Sequence, residues 1–163
     1  MPSLRWQPLT TLLLSIAGLG VATYLTITHY DTHVALVCAD NGIVNCEKVT
    51  TSPQSSIFGI PVAVLGLVFF FPMIALCLPV AWRSADRRIH LARLALSVAG
   101  VAMVLYLVSA ELFIIKAICL WCTSVHVITF ILFVIIVTSA PVVLGVEHSR
   151  EPGGRHDAVA GSA

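Results

Sequence analysis

Four long apolar runs limit what this chain can fold into: about Leu9 to Thr28, Ile60 to Trp82, Leu91 to Ile115 and Ile118 to Leu144. Each matches or exceeds the about 20 helical residues needed to cross a bilayer's hydrocarbon. In lipid every backbone N–H and C=O must be paired within the segment, and none of the runs alternates as a strand would, so they must be helices. The expected fold class is all-α, an integral membrane four-helix bundle with helices at about 9–28, 60–82, 91–115 and 118–144. Composition agrees, with 58% hydrophobic and 10% charged residues, and this excludes an ordinary soluble domain. The net charge of +1 carries no message about nucleic acid, and no nucleic-acid partner is expected.

The ends of these runs carry their own signals. Arg5 before the first run could open a secretory signal, but the stretch is long for one and no small-residue cleavage site follows, so an uncleaved anchor is favoured. Pro61 suits the first turn of the second helix, whereas Pro72 and Pro79 should bend it. Only a few residues separate the third and fourth runs, which predicts a tight hairpin. Residues 146–163, with Glu151-Pro152-Gly153-Gly154, read as a disordered tail.

Lysine and arginine set the expected orientation. Arg5, Arg83, Arg87, Arg88, Arg93, Arg150 and Arg155 fall on one side, against Lys48 and Lys116 on the other. Positive charge favours the cytoplasmic side. Both termini are therefore expected in the cytoplasm, with the segment from His29 to Phe58 and the hairpin at 115–122 outside. Four of the five cysteines then face the compartment where disulfides persist. Cys77, mid-run, reads as a packing residue.

Cys119 and Cys122 form a C-x-x-C at a helix start, where unpaired N–H groups and the positive dipole end favour a thiolate, here expected on Cys122. Lys116 could add to that field. Cys38 and Cys46 bracket a polar stretch whose Asn41-Gly42 is a turn signal, so the two can fold back on each other. A structural staple is one reading of this pair. Thiol–disulfide exchange with the C-x-x-C on the same face is the other, and the shared face favours it. Zinc usually draws on closely spaced knuckles, which the Cys38–Cys46 separation does not supply, so no metal is expected. His126 lies four residues past Cys122 on the same helical face, placed to tune a thiolate, line a ligand cavity or simply pack. Glu111 is expected near the outer end of the third helix as an interface residue, and His29 and His33 as solvated loop-edge residues. Trp6, Trp82 and Trp121 fall near predicted membrane interfaces.

Several motifs in order resemble one family. Cys38, Cys46-Glu47-Lys48-Val49 and the stretch Ser52-Pro53-Gln54-Ser55-Ser56-Ile57-Phe58-Gly59-Ile60-Pro61-Val62-Ala63-Val64-Leu65-Gly66 resemble the loop and second helix of bacterial vitamin K epoxide reductase homologues. The segment from Glu111 to His126, with Cys119-Leu120-Trp121-Cys122, is similar to that family's redox hairpin. The resemblance covers nearly all of residues 10–144. It implies that Cys119 and Cys122 are the redox pair, Cys122 beside a quinone ring, and that Cys38 and Cys46 are the shuttle pair. It further implies that Ser55, Phe58 and His126 line a quinone site.

The function implied is a membrane thiol–disulfide oxidoreductase of the bacterial inner membrane. It would reoxidise a separate DsbA-like thioredoxin-fold protein and pass the electrons to menaquinone or ubiquinone, in contact with membrane lipid. Mammalian members carry Asn and Tyr where this chain has Ser55 and His126, a departure that counts against vitamin K epoxide as the substrate. The alternative is a quinone or vitamin K epoxide reductase whose main product is the reduced quinone.

Overall fold

A computed structural model describes residues 6–143 apart from 32, 35, 39, 40 and 42. The expected tail at 146–163, together with Arg5, Arg150 and Arg155, lies outside the described residues. The first helix, α1 (Gln7–Tyr30), has a proline in its first turn, where the missing N–H costs nothing. Its buried Thr11 and Ser15 hydroxyls donate back to the carbonyls of Gln7 (2.8 Å) and Thr11 (2.7 Å), so neither is stranded in apolar packing.

The segment after α1 carries a short helix, α2 (Cys46–Thr50), whose Asn45 side chain caps it by accepting from the Lys48 N–H. A 3₁₀ turn at Pro53–Ser55 leads into two-residue strands, β1 (Ser56–Ile57) and β2 (Ile60–Pro61), paired antiparallel across Phe58 and Gly59. The second helix therefore begins at Val62 and not at Ile60, because Pro61 is still extended.

The two prolines of the second run behave differently. Helix α3 (Val62–Cys77) continues through Pro72 but stops at Leu78, whose ψ of 143° is not helical. The residue before a proline is crowded out of the helical region, and Pro79 then opens a new short helix, α4 (Pro79–Arg83). At 16 residues, α3 alone spans about 24 Å, short of the about 30 Å hydrocarbon layer.

Helix α5 (Arg87–Ser109) starts four residues before the expected Leu91, because the Asp86 carboxylate accepts from the Arg88 N–H at 2.9 Å and caps it. It runs into a π-helical turn, Ala110–Ile115. Lys116, with φ 53°, reverses the chain, and α6 (Leu120–Val143) follows. Among the described residues three helices are long and apolar enough to cross a membrane: Gln7–Tyr30, Arg87–Ile115 and Leu120–Pro141.

Helix α1 packs on α3 and α6, and α5 packs on the same two. The core holds Ala22, Phe70, Met73, Cys77, Leu132 and Ile136, with Cys77 a free, buried packing residue. Phe70 lies over Gly18 of α1, while its neighbour Phe69 lies over Gly100 of α5. Small residues at these crossings let the backbones approach closely, a recurrent device in membrane helices. Leu13, Val68, Phe71, Phe113 and Phe130 face outward, a surface that water solvates poorly and lipid solvates well.

Two residues assigned to the membrane edge turn inward. Arg93 is only 2% exposed, since a helix starting at Arg87 carries it nearly two turns inside. Its guanidinium lies 3.9 Å from the centroid of the Trp82 ring and donates to the Ala81 carbonyl at 3.4 Å, and Trp82 is itself buried.

The glycine crossings give a test of this packing. A Cβ at Gly18 or Gly100 would collide with a phenylalanine ring, whereas Gly20 meets open space. Gly18→Ala and Gly100→Ala should each lower stability by about 1–3 kcal/mol. Gly20→Ala should leave it unchanged or raise it by about 0.5–1 kcal/mol. Thermal unfolding in detergent measures all three.

Candidate redox site

The two cysteine pairs, far apart in sequence, meet in one buried cluster. Cys38 and Cys46 form a disulfide with Cα atoms 6.1 Å apart. Cys46 is 1% exposed and Cys119 0%, and both belong to a cluster with Val49, Ile115 and Ala117. Cys38, Trp121 and Cys122 pack against it, half-buried. Cys119 and Cys122 carry free thiols.

Backbone pairing brings the loop there. Val44 and Ile118 form a parallel bridge: the Ile118 N–H donates to the Ile43 carbonyl at 2.9 Å and the Asn45 N–H to the Ile118 carbonyl at 3.1 Å. The Trp121 indole N–H adds a third tie, donating to the Val37 carbonyl at 2.8 Å, and its ring packs on Tyr24 of α1 at 4.8 Å. The sequence reading placed Trp121 at a membrane interface. In the structure it is a strut between loop, hairpin and first helix.

Helix α6 begins at Leu120, so Cys119 sits just before its first turn and Cys122 within it. The Cys122 N–H donates to Cys119 Sγ at 3.3 Å. The hydrogen bond from the Cys122 thiol lowers the Cys119 pKa below its ordinary value, outweighing burial and the Glu111 carboxylate, which push it up. The helix-start effect expected for Cys122 is thus spent on Cys119 in this state. Lys116 is exposed, and the nearby charge acting on the pair is that of Glu111.

Cys122, in contact with Cys119 on one side, borders a cavity on the other. It lines this cavity together with His126, Glu111, Ser55, Gln54 and apolar residues that include several of α1, α3 and α5. Leu107 of α5 and Glu111 and Ile115 of the π-helical turn that continues it, spaced by four, line it from one side. His126 is 7% exposed, and its ring nitrogens have no hydrogen-bond partner among the described residues. The Ser55 hydroxyl donates to the Ser52 carbonyl at 2.7 Å and keeps lone pairs free to accept.

Phe58 is placed elsewhere. It occupies the first position of the two-residue turn between β1 and β2, with φ 51°, and its ring is fully exposed, outside the cavity. Its neighbour Gly59 also has positive φ (79°), so the turn is of the tight hairpin kind that projects its central side chains away from the strands. His29 is exposed but reaches the cavity rim, while His33 lies on the surface. Thr50, Ser52, Gln54 and Glu111 are polar residues of the cavity that the sequence does not single out as site residues. Glu111 carried a signal, a carboxylate in an apolar helix end, whereas Gln54 carried none beyond standing next to Ser55.

A mostly apolar cavity with a few convergent polar groups and one thiol suits a flat, lipid-soluble ring with hydrogen-bonding oxygens, the chemistry of a quinone. No curated protein matches this sequence. The model of the vitamin K epoxide reductase family matches residues 9–137, a span that holds both cysteine pairs and the cavity residues named above. With that match over most of its length, and with membrane-compatible helices bringing two cysteine pairs to one end, the chain belongs to the vitamin K epoxide reductase family of oxidoreductases.

Proposed function

We propose that this protein reoxidises a DsbA-like thioredoxin-fold protein outside the cytoplasm and delivers the electrons to a membrane quinone. One observation carries the reading: in the C-x-x-C, Cys119 lies in the cluster of the loop disulfide while Cys122 lines the cavity. A two-thiol unit with one sulfur on each side can pass electrons from a protein thiol to a lipid-soluble ring.

The steps follow from exposure. Cys38 is half-buried and Cys46 fully buried, so a partner thiolate reaches Cys38 first. It displaces Cys46 as a thiolate, and the partner's second thiol then resolves the mixed disulfide, leaving the partner oxidised and the loop pair reduced. Cys46 attacks Cys119 of the Cys119–Cys122 disulfide and frees Cys122. Cys38 attacks Cys46, restoring the loop disulfide and leaving Cys119 and Cys122 as the dithiol, the combination of redox states present in the structure. A quinone held by His126 and Ser55 would supply the sink for two electrons and two protons. DsbA-like proteins are strong oxidants near about −120 mV, so the acceptor must be poised at or above that region.

For topology we propose four crossings, the second built from α3 and α4 broken at Leu78, with both termini cytoplasmic. Arg83 at the end of α4 and Arg87 and Arg88 at the start of α5 support this, since α5 separates them from the cysteine end by roughly 34 Å.

Three outcomes test the proposal. A membrane-impermeant thiol reagent applied to intact cells after reduction should label Cys38 or Cys46; labelling only in permeabilised cells would reverse the topology. Cys38→Ala lacks the resolving thiol and should accumulate a Cys46–Cys119 bridge with Cys122 free, seen by non-reducing peptide mapping. An intact Cys119–Cys122 bond beside a free Cys46 would return the loop pair to a structural role. Finally, His126→Ala should raise KM for quinone about tenfold, equivalent to about 1.4 kcal/mol, while Phe58→Ala, outside the cavity, should leave that KM unchanged. Steady-state kinetics with a short-chain quinone decide it.

A further inference from the structure

The relay uses thiols and leaves one buried carboxyl without a task. Glu111 is 6% exposed and lines the cavity along with Cys122 and His126. Among the described residues its side chain accepts no hydrogen bond and meets no Lys or Arg within ion-pair distance. An ionisable group so placed in a membrane-spanning segment is costly, and such groups mark proton or ligand paths. Its backbone is tied to the redox hairpin. The Glu111 carbonyl accepts from the Lys116 and Ala117 amides, closing the π-helical turn that leads to Cys119. The carboxyl's position is thereby set relative to both cysteines.

Closing the Cys119–Cys122 disulfide removes two electrons and two protons from the thiols, and a quinone that becomes a quinol takes up two of each. Electrons need only contact with Cys122, but a proton needs an acceptor within hydrogen-bond reach, directly or through one water. The groups facing the cavity that can exchange one are Cys122 and His126 of α6, Glu111 after α5, and His29 at the rim from α1. His29 is exposed, which leaves Glu111 and His126 inside.

We propose that Glu111 carries the thiol protons to the ring, an inference that rests on the quinone reading above. As carboxylate it accepts the proton of the Cys122 thiol while the sulfur's electron pair passes on. As carboxylic acid it donates that proton to the reduced ring's oxygen. The proton of the Cys119 thiol follows over the emptied carboxyl as the S–S bond forms, so Glu111 ends each turnover as it began. His126 holds the ring and takes no part in the transfer.

Infrared difference spectroscopy tests this without any quinone. In quinone-free protein in detergent, oxidising Cys119–Cys122 with diamide removes the proton-donating thiol beside Glu111 and should shift the stretching band of its carboxyl group, and the shift should be absent in Glu111→Gln. No carboxyl difference in the wild type, or the same difference in the variant, overturns the proposal. With a short-chain ubiquinone, Glu111→Gln should lower kcat about a hundredfold or more with KM within about twofold of wild type. Glu111→Asp should recover part of that loss, and shifts the band if the glutamine variant does not fold. Full kcat in Glu111→Gln, or a loss carried wholly by KM, also overturns it. Wild-type protein whose thiols react with diamide but never with quinone would instead end the quinone reading, and leaves the infrared result to decide the proton link alone.

Discussion

The cysteine loop is held over the redox hairpin by its backbone, through the paired hydrogen bonds between Ile118 and the Ile43–Asn45 strand and the Trp121 tie to Val37. Everything chemical in the molecule depends on this clamp. Without it Cys46 would sit in a solvated loop and Cys119 at a bare helix start, with nothing to bring the two sulfurs into one buried cluster. Backbone bonds do this better than side-chain packing alone, because they fix register as well as proximity: pairing Val44 with Ile118 puts Cys46 and Cys119 on adjoining segments that both run into helices. Each bond contributes a net of only about 1 kcal/mol. A clamp of a few such bonds holds the loop and still releases it without disturbing the helices beneath.

The second arrangement of consequence is the split between Cys119 and Cys122. A three-residue separation on a helix would normally place both side chains on one face. Here the helix begins between them, at Leu120, so the two sulfurs start from different backbone settings. Cys119 turns to the loop and receives the helix-start amide, and Cys122 turns to the cavity. One wall of the cavity is made by the 3₁₀ turn at Pro53–Ser55 and by α2, the same segment that carries Cys46. The loop disulfide and one wall of the cavity are thus built from one stretch of chain.

Much of this was legible in the residues. The apolar runs, the hairpin between the third and fourth of them, the packing role of Cys77 and the family resemblance all rest on local pattern, and local pattern survives in the structure. The failures share a different cause. Pro72 and Pro79 look alike in sequence, but only the latter breaks the helix, since tolerance of a proline depends on what neighbouring helices supply to the freed backbone. Phe58 matched a cavity position by motif, yet a two-residue turn with positive φ carries its ring into the open. Arg93 and Trp82 read as edge residues from the run boundaries alone, and the stacking of one on the other shows only in the structure.

What the sequence determined by itself was the class of molecule: apolar runs too long for a water-facing core, cysteines in positions that chemistry and not packing explains, and motifs in a family's order. What only the tertiary structure decided was which groups face which. The loop reaches the hairpin through a bridge between residues far apart in the chain, and no local preference of Val44 or Ile118 announces it. Glu111 enters the cavity because a π-helical turn and the packing of α5 against α3 and α6 carry it there. Periodicity tells which residues share a face of a helix, but the neighbour that face meets is settled by how all the helices pack together.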